Sequence, residues 1–316
     1  MAGRENAVVS IIMPVYNEGE HIVSSVGVVE KILQDNKIAY EFILVDDGSK
    51  DNSWAELSYL AKNNPKVTAV RLSRNFGKEA ALCAGLDHAT GDGVLIMDAD
   101  LQDPPELIPE MVKYWSEDGF DVVEGVKSSR GKESGIYKFC AKSFYNILLK
   151  STGIDLRNAS DYKLLDRKVV EAMQQMPERV TFFRGMSAWV GFERKQVSFE
   201  VQPRVMGKTK WSVRRLAGLA VSAITSYTSA PLQLVTVLGI LMFFISLVLG
   251  AQTLIRYLCG NALEGFTTVI LLQLFIGSML MISLGIIGMY LMKIYHEIKG
   301  RPRYLVSTKI KDGQKE

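Results

Sequence analysis

Two long stretches without a charged side chain constrain this protein more than any other feature of its sequence. From Leu216 to Ile255 there is no Asp, Glu, Lys or Arg, and from Gly265 to Met292 there is again none. The residues before about position 200 mix charges as a water-soluble domain does. Leu232 to Ile255, wound as a helix, would reach ~36 Å against a hydrocarbon core of about 30 Å. Thr267 to Met292 is a second stretch of that kind, and the short segment between them suits a turn outside the bilayer. Buried helices of a soluble core seldom stay uncharged beyond about 18 residues, so a membrane hairpin with both ends on one side is expected. Leu216 to Ala230, rich in Ala, Ser and Thr and set off by Pro231, is expected to lie along the interface.

Lys and Arg concentrate on the cytoplasmic flanks of membrane spans. Arg204, Lys208, Lys210, Arg214 and Arg215 precede the hairpin with no acid between Val201 and Leu263, and Lys293, Lys299, Arg301 and Arg303 follow it. The connecting turn holds only Arg256 and Glu264. The soluble part and both termini are therefore expected in the cytoplasm, with Trp211 and its basic neighbours at the level of anionic headgroups. A net charge of +3 over 316 residues, with 22% charged and 48% hydrophobic, excludes a disordered tail and a polycation; nucleic acid is not an expected partner. Cys83, Cys140 and Cys259 show neither CxxC nor metal-ligand spacing and suit a reducing compartment. The apolar run before Pro14 is too short for a signal-peptide core.

Apolar runs bounded by turn signals recur in the soluble part as Val8–Met13, Phe42–Val45, Val67–Leu72, Gly93–Met97 and Asp121–Glu124, with segments of helical length between them. This βα alternation implies a mostly parallel sheet covered on both faces, with ligands bound beyond the carboxyl ends of its strands. The informative residues stand at those ends. Pro14-Val15-Tyr16-Asn17-Glu18 follows the first strand, Asp46-Asp47-Gly48-Ser49 the second, and Asp98-Ala99-Asp100 with Leu101-Gln102-Asp103 the fourth. Neither GxGxxG nor GxxxxGK[ST] is present to cradle a phosphate. A diphosphate meeting converging carboxylates needs a hard divalent cation between them, Mg²⁺ or Mn²⁺, and two Asp at i and i+2 suit one.

These residues carry a resemblance. Pro14–Glu18, Val45–Ser49, Asn75-Phe76-Gly77-Lys78 and Met97–Pro105 resemble the successive motifs of the family-2 inverting glycosyltransferases, which have the GT-A fold. Ser160-Asp161-Tyr162-Lys163, Phe183-Arg184-Gly185 and Arg204–Trp211, followed by a membrane hairpin, are similar to the polyprenyl-phosphate glycosyltransferases. That group includes dolichyl-phosphate mannose synthases and the GtrB-type bactoprenol (undecaprenyl-phosphate) glucosyltransferases. The resemblance extends over residues 8–305 and implies a GT-A, Rossmann-like α/β domain with interface helices and a two-helix transmembrane hairpin. The expected division is 1–200 catalytic, 201–231 juxtamembrane, 232–292 hairpin and 293–316 a basic cytoplasmic tail.

By that resemblance Pro14, Tyr16, Glu18, Asp46 and Asp47 meet the nucleoside of the donor, Tyr16 offering a stacking face. Asp98 and Asp100 serve the sugar nucleotide and the metal, with Gln102 beside them. Lys78, at a helix start, faces phosphate. Asp161 matches the position often assigned as catalytic base; a lipid phosphate oxygen is already ionised near neutral pH, so an orienting or electrostatic role stays open. Family members carry Arg where this chain has Lys163, so bidentate binding is not expected there. Lys127, Arg130, Lys138, Arg204 and Lys210 are implied as ligands of the acceptor phosphate.

The implied reaction moves a hexose, glucose above all, from a UDP-sugar to polyprenyl phosphate. The lipid phosphate attacks the anomeric carbon in line, with inversion. Mannose from GDP-mannose, N-acetylglucosamine and modified arabinose remain open as the sugar. A processive polysaccharide synthase would show QxxRW and more membrane helices. A non-catalytic sugar-nucleotide sensor would have no need of Asp98, Asp100 and Asp161 together. Small residues on the second span (Gly277, Ser278, Ser283, Gly285, Gly288) leave room for close helix packing, and a homo-oligomer is a further expectation.

Overall fold

The computed structural model describes residues 7–127, 149, 160–176, 178, 182–199, 230–259 and 265–315. Two compact units make up the chain: Met1–Trp211 together with Pro302–Glu316, and Ser212–Arg301. In the first unit the elements run β1 (Val8–Val15), α1 (Ile22–Asp35), β2 (Ala39–Asp46), α2 (Ser53–Asn63), β3 (Val67–Leu72), α3 (Lys78–His88), β4 (Gly93–Ile96), α4 (Ile108–Ser116), β5 (Val122–Lys127), β6 (Lys163–Asp166), α5 (Arg167–Gln174), α6 (Phe183–Trp189) and β7 (Arg194–Phe199). The second unit holds α7 (Ala230–Leu258) and α8 (Phe266–Ile298), after which β8 (Val306–Lys311) and β9 (Gln314–Lys315) belong to the first.

The sheet order is β7-β5-β6-β4-β1-β2-β3-β8-β9. β1 pairs in parallel with β2 and β4, β2 with β3, and β5 with β7, whereas β6 and β8 run against their neighbours. Strands with both faces buried read as continuous apolar runs rather than alternating ones, which is why the first five strands stand where the sequence pattern predicts them. Successive residues of one strand feed opposite cores: Ile11 and Met13 pack with Phe42, Leu44 and Leu95 on one face, Ile12 with Ile43, Val45, Val94 and Ile96 on the other.

The chain leaves β1 for β2 and β3 on one side and returns to β4 on the other, so the order reverses at β1. Such a switch point opens a crevice beyond the carboxyl ends of the strands. β6 adds a second delivery route. Because it pairs antiparallel to β4 with Ile96 opposite Lys163, the residues just before β6 arrive at the same sheet edge as those just after β4.

The remaining four strands, β6 to β9, escape the apolar-run pattern. β6 opens on Lys163, a fully buried cation that faces Glu124 of β5 directly across the ladder. Its Nζ lies 3.1 Å from Glu124 Oε1, both side chains being 1% exposed, and donates to Ser187 Oγ at 2.8 Å. Burial pushes the Lys163 ammonium pKa down, against the pull of Glu124. β7 alternates polar and buried residues. The segment after the second apolar helix, expected as a basic tail, is instead tied down: α8 runs on through Ile298, and β8 pairs antiparallel with β3 to extend the sheet. Arg303 donates to the carbonyls of Glu178 and Met176, and Tyr304 Oη donates to Asp87 at 2.6 Å. The expectation failed because Ser-Thr-Lys-Ile-Lys reads as solvated chain until β3 offers it an edge.

Within the second unit, α7 and α8 touch each other. Both are long and apolar enough to cross a membrane, over Pro231–Arg256 and Leu272–Ile298, and neither stretch is buried by the rest of the described residues. The interface segment 216–229 and Trp211 lie outside the described residues.

The Lys163–Glu124 pair yields a stability prediction. Lys163→Met strands a buried carboxylate and is expected to lower unfolding free energy by about 3–5 kcal/mol, while Lys163→Met/Glu124→Leu regains most of it. Urea unfolding of the detergent-solubilised chain, followed by tryptophan fluorescence, measures this; a double variant no more stable than the single one would refute it.

Candidate active site at the carboxyl edge

The crevice is lined from several elements at once. After β1 the chain turns at Asn17, whose φ of 56° is left-handed; its N–H donates to Ser49 Oγ at 3.0 Å and its Oδ1 accepts from Lys50 N–H at 2.9 Å. This ties the first loop to the second. Pro14 is half-buried in β1, and Tyr16 projects with 43% of its surface exposed, leaving its ring available. Glu18 is half-buried, and burial first, then the charges of Asp100, Asp51 and Asp98, push its pKa up. Glu18 thus feels the charge of both acids that follow β4.

Asp46 and Asp47, expected at the nucleoside, are both buried. Asp47 accepts from the N–H groups of Phe76 and Gly77 at 2.7 and 2.8 Å, fixing the loop that leads into α3. Burial is the main cause of its raised pKa, the two N–H groups working against it. Gly77 has φ 99° and Gly48 φ 67°; a Cβ on Gly48 would sit 2.5 Å from the Arg74 carbonyl carbon, so this crossing of loops requires glycine. Asp46 Oδ1 accepts from Ser49 N–H at 2.9 Å. Its Oδ2 lies 3.1 Å from Arg71 Nε in a direction that makes no hydrogen bond, and is a buried oxygen with accepting capacity left over.

At the end of β4, Asp98 is half-exposed and Asp100 exposed. Asp100 Oδ1 accepts from Gln102 N–H at 3.1 Å across Leu101, which has φ 53°. A branched residue in the left-handed region costs on the order of 1 kcal/mol, so the packing of Leu101 against the core holds this loop in shape. The donor set is oxygen only, and among the described residues no third acid, His or Cys completes a metal cage. That fits a hard divalent cation held by one or two carboxylates, its remaining ligands coming from substrate phosphate.

Lys78, the first residue of α3, places its Nζ 2.6 Å from Asp98 Oδ1 and 3.0 Å from Asp161 Oδ2. Asp161 is delivered by the stretch before β6, where Ser160 N–H donates to Glu124 Oε1 at 3.0 Å. Arg184 of α6 grips the same carboxylate in a fork, Nε to Oδ1 at 2.7 Å and an Nη to Oδ2 at 3.0 Å. Burial alone would raise the Asp161 pKa, but hydrogen bonds from Arg184 and the charges of Lys78 and Arg184 overcome it and hold the carboxyl well below the usual range. Burial would lower the Lys78 pKa, and its two carboxylates more than reverse that. A carboxylate so fully engaged by cations binds a proton poorly; its physical capacity is to position Lys78 and Arg184.

Arg184 belongs to a motif that the sequence shows but carries no role on sequence alone, and Glu79 is not marked by the sequence at all. Glu79 reads as an ordinary first-turn acid, yet its Oε2 accepts from Phe183 N–H at 2.6 Å, packing it under the start of α6. Burial pushes its pKa up to about 7. Of the implied acceptor-phosphate residues, Lys127 ends β5; Arg130, Lys138, Arg204 and Lys210 lie outside the described residues.

Residues 10–181 match the family described as "Glycosyl transferase family 2". The chain belongs to glycosyl transferase family 2. A glycosyltransferase of Synechocystis sp. is 42% identical over 300 residues, 94% of each chain. A bactoprenol glucosyl transferase of Shigella phage SfX is 36% identical over 303 residues, covering 95% of this chain and 99% of the relative. A solved glucosyl-3-phosphoglycerate synthase of Mycobacterium tuberculosis, in complex with Mn²⁺, UDP-glucose and phosphoglyceric acid, superposes with TM-score 0.52 at 20% identity, covering 71% of this chain and 79% of that one. The structural likeness establishes the GT-A fold; the sequence relatives establish that this is a glycosyltransferase.

Glu79 gives the site a pH signature. Its native pKa lies above the unfolded value, so the native state holds more protons between about pH 4.5 and 7, and the stability Glu79 contributes falls as pH rises through that window. Glu79→Gln, which keeps an acceptor for Phe183 N–H, is expected to match wild type at pH 5 and to be the more stable protein at pH 8. Thermal unfolding of both at the two pH values checks this, and an equal difference at both would contradict it.

Proposed function

We propose that this glycosyltransferase moves a hexose, glucose above all, from a UDP-sugar to polyprenyl phosphate at the cytoplasmic face of the membrane. The observation that carries the reading is one crevice at which Asp98, Asp100, Lys78, Asp161 and Arg184 meet, in a chain whose near-full-length relatives include bactoprenol glucosyl transferases. Two helices fit to span a bilayer belong to the same chain. UDP-glucose in the superposed synthase supports the choice of donor.

In this reading Tyr16 stacks on the base, and Asp46, buried beside Arg71, serves the nucleoside pocket from beneath it. Asp47 acts indirectly, by holding the Phe76–Gly77 loop from which Lys78 projects. Asp98 and Asp100, with Gln102 alongside, are the residues that would hold Mg²⁺ or Mn²⁺, which when bound supplies charge neutralisation for a diphosphate. Lys78 and Arg184 supply positive charge where the diphosphate leaves and the lipid phosphate arrives, and Asp161 holds both near the site. An oxygen of the lipid phosphate forms the new bond to the anomeric carbon as the bond from that carbon to UDP breaks, with inversion. The attacking oxygen needs no base, because it is already ionised near neutral pH. Lys127, Arg130, Lys138, Arg204 and Lys210 are assigned to the acceptor phosphate on their motifs, and the basic flanks of the hairpin support a cytoplasmic catalytic unit.

Membranes carrying the protein, incubated with labelled UDP-sugars and undecaprenyl phosphate, are expected to form a lipid-soluble hexosyl phosphate with UDP-glucose. A chelator should abolish it, and Asp100→Ala should slow it by about 10²-fold or more. Transfer that persists with chelator, an unaffected Asp100→Ala variant, or donor binding without lipid-dependent consumption would overturn the reading.

A further inference from the structure

The ion network contains a charge relation that the transfer reaction alone does not require. Asp161 is engaged by three N–H donors, two from Arg184 and one from Lys78. Lys78 nevertheless lies closer to Asp98, at 2.6 Å, than to Asp161, at 3.0 Å. Lys78 and Asp98 side chains are each 39% exposed, so dissolved ions reach the pair. An ammonium within hydrogen-bond distance of Asp98 Oδ1 and a divalent cation on that carboxylate repel one another strongly at such separations. A lysine on a flexible stem holds a point charge that can shift between acceptors, which a guanidinium fixed by a fork does less readily.

We propose that Lys78 is an internal counter-ion that competes with the divalent cation for Asp98, and that Asp161, oriented by Arg184, retains its ammonium when Asp98 is given up. Lys78 is then a positioning residue that sets how strongly the empty crevice holds a cation. It keeps Asp98 compensated before the donor arrives and becomes free to meet phosphate once Asp98 is taken. The inference rests on the assignment of Asp98 to the cation.

The test is Mn²⁺ binding to the purified full-length chain in detergent without nucleotide, with free Mn²⁺ followed by electron paramagnetic resonance. Lys78→Met is expected to bind Mn²⁺ about five-fold tighter than wild type, the scale of an exposed ion pair. Lys78→Arg, which keeps the charge, should stay near wild type, so that the gain in Lys78→Met reports charge and not altered folding. Asp161→Asn leaves the ammonium with Asp98 alone and should weaken binding, a loss that largely disappears in Lys78→Met/Asp161→Asn. Lys78→Met binding no tighter than wild type, or an Asp161→Asn loss of the same size with and without Lys78, would overturn the competition. Asp98→Asn separates the two ideas: if it leaves Mn²⁺ affinity unchanged, the assignment of Asp98 falls, whereas if it abolishes binding while Lys78→Met changes nothing, only the competition falls.

Discussion

One ammonium group standing between two carboxylates organises this crevice. Lys78 reaches both Asp98 and Asp161, and Arg184 closes the set by gripping the same Asp161 carboxylate. Partly buried charges of this kind are costly unless each has a partner, so the four residues depend on one another for their positions. They come from the start of α3, the end of β4, the approach to β6 and helix α6. The sheet makes that possible through the antiparallel β6, whose register against β4 returns the chain to the edge where the parallel strands end. A wholly parallel continuation would have delivered Asp161 to the opposite edge.

Support for the network extends inward. Glu124 takes the Ser160 N–H and pairs with Lys163, which in turn donates to Ser187 on the same helix as Arg184. Both sides of the Asp161–Arg184 fork are therefore anchored to one buried ion pair. On the other side of the crevice, Asp47 holds the Phe76–Gly77 loop that aims Lys78. The catalytic unit thus uses several of its buried charges to fix loops at one sheet edge, and leaves Asp100, Asp98 and Tyr16 open at the surface of that edge.

The parallel half of the sheet was legible because strands buried on both faces leave unbroken apolar runs, and the acids after β1, β2 and β4 could be read directly as the ends of those runs. β6 was hidden because its first residue is a lysine whose partner, Glu124, lies on a different strand; nothing local marks Lys163 as buried. β8 was hidden because an edge strand shows its character only against β3. The role of Arg184 and the whole of Glu79 escaped for the same reason: their partners, Asp161 and Phe183, are distant in sequence, and Glu79 imitates a helix-start acid. Asp46 and Asp47 stand out in the sequence as a pair of acids closing an apolar run, but their burial, and the loop-holding work of Asp47, follow from contacts with Arg71, Phe76 and Gly77 that only the fold supplies.

The central claim is that this edge binds a nucleoside-diphosphate sugar through carboxylates that need a cation to tolerate it. Calorimetric titration of UDP-glucose into the full-length protein tests this directly. Binding is expected with Mn²⁺ present, lost when a chelator is added, and lost with Mn²⁺ present in Asp98→Asn/Asp100→Asn. Equal affinity with and without the cation, or in that double variant, would contradict the account.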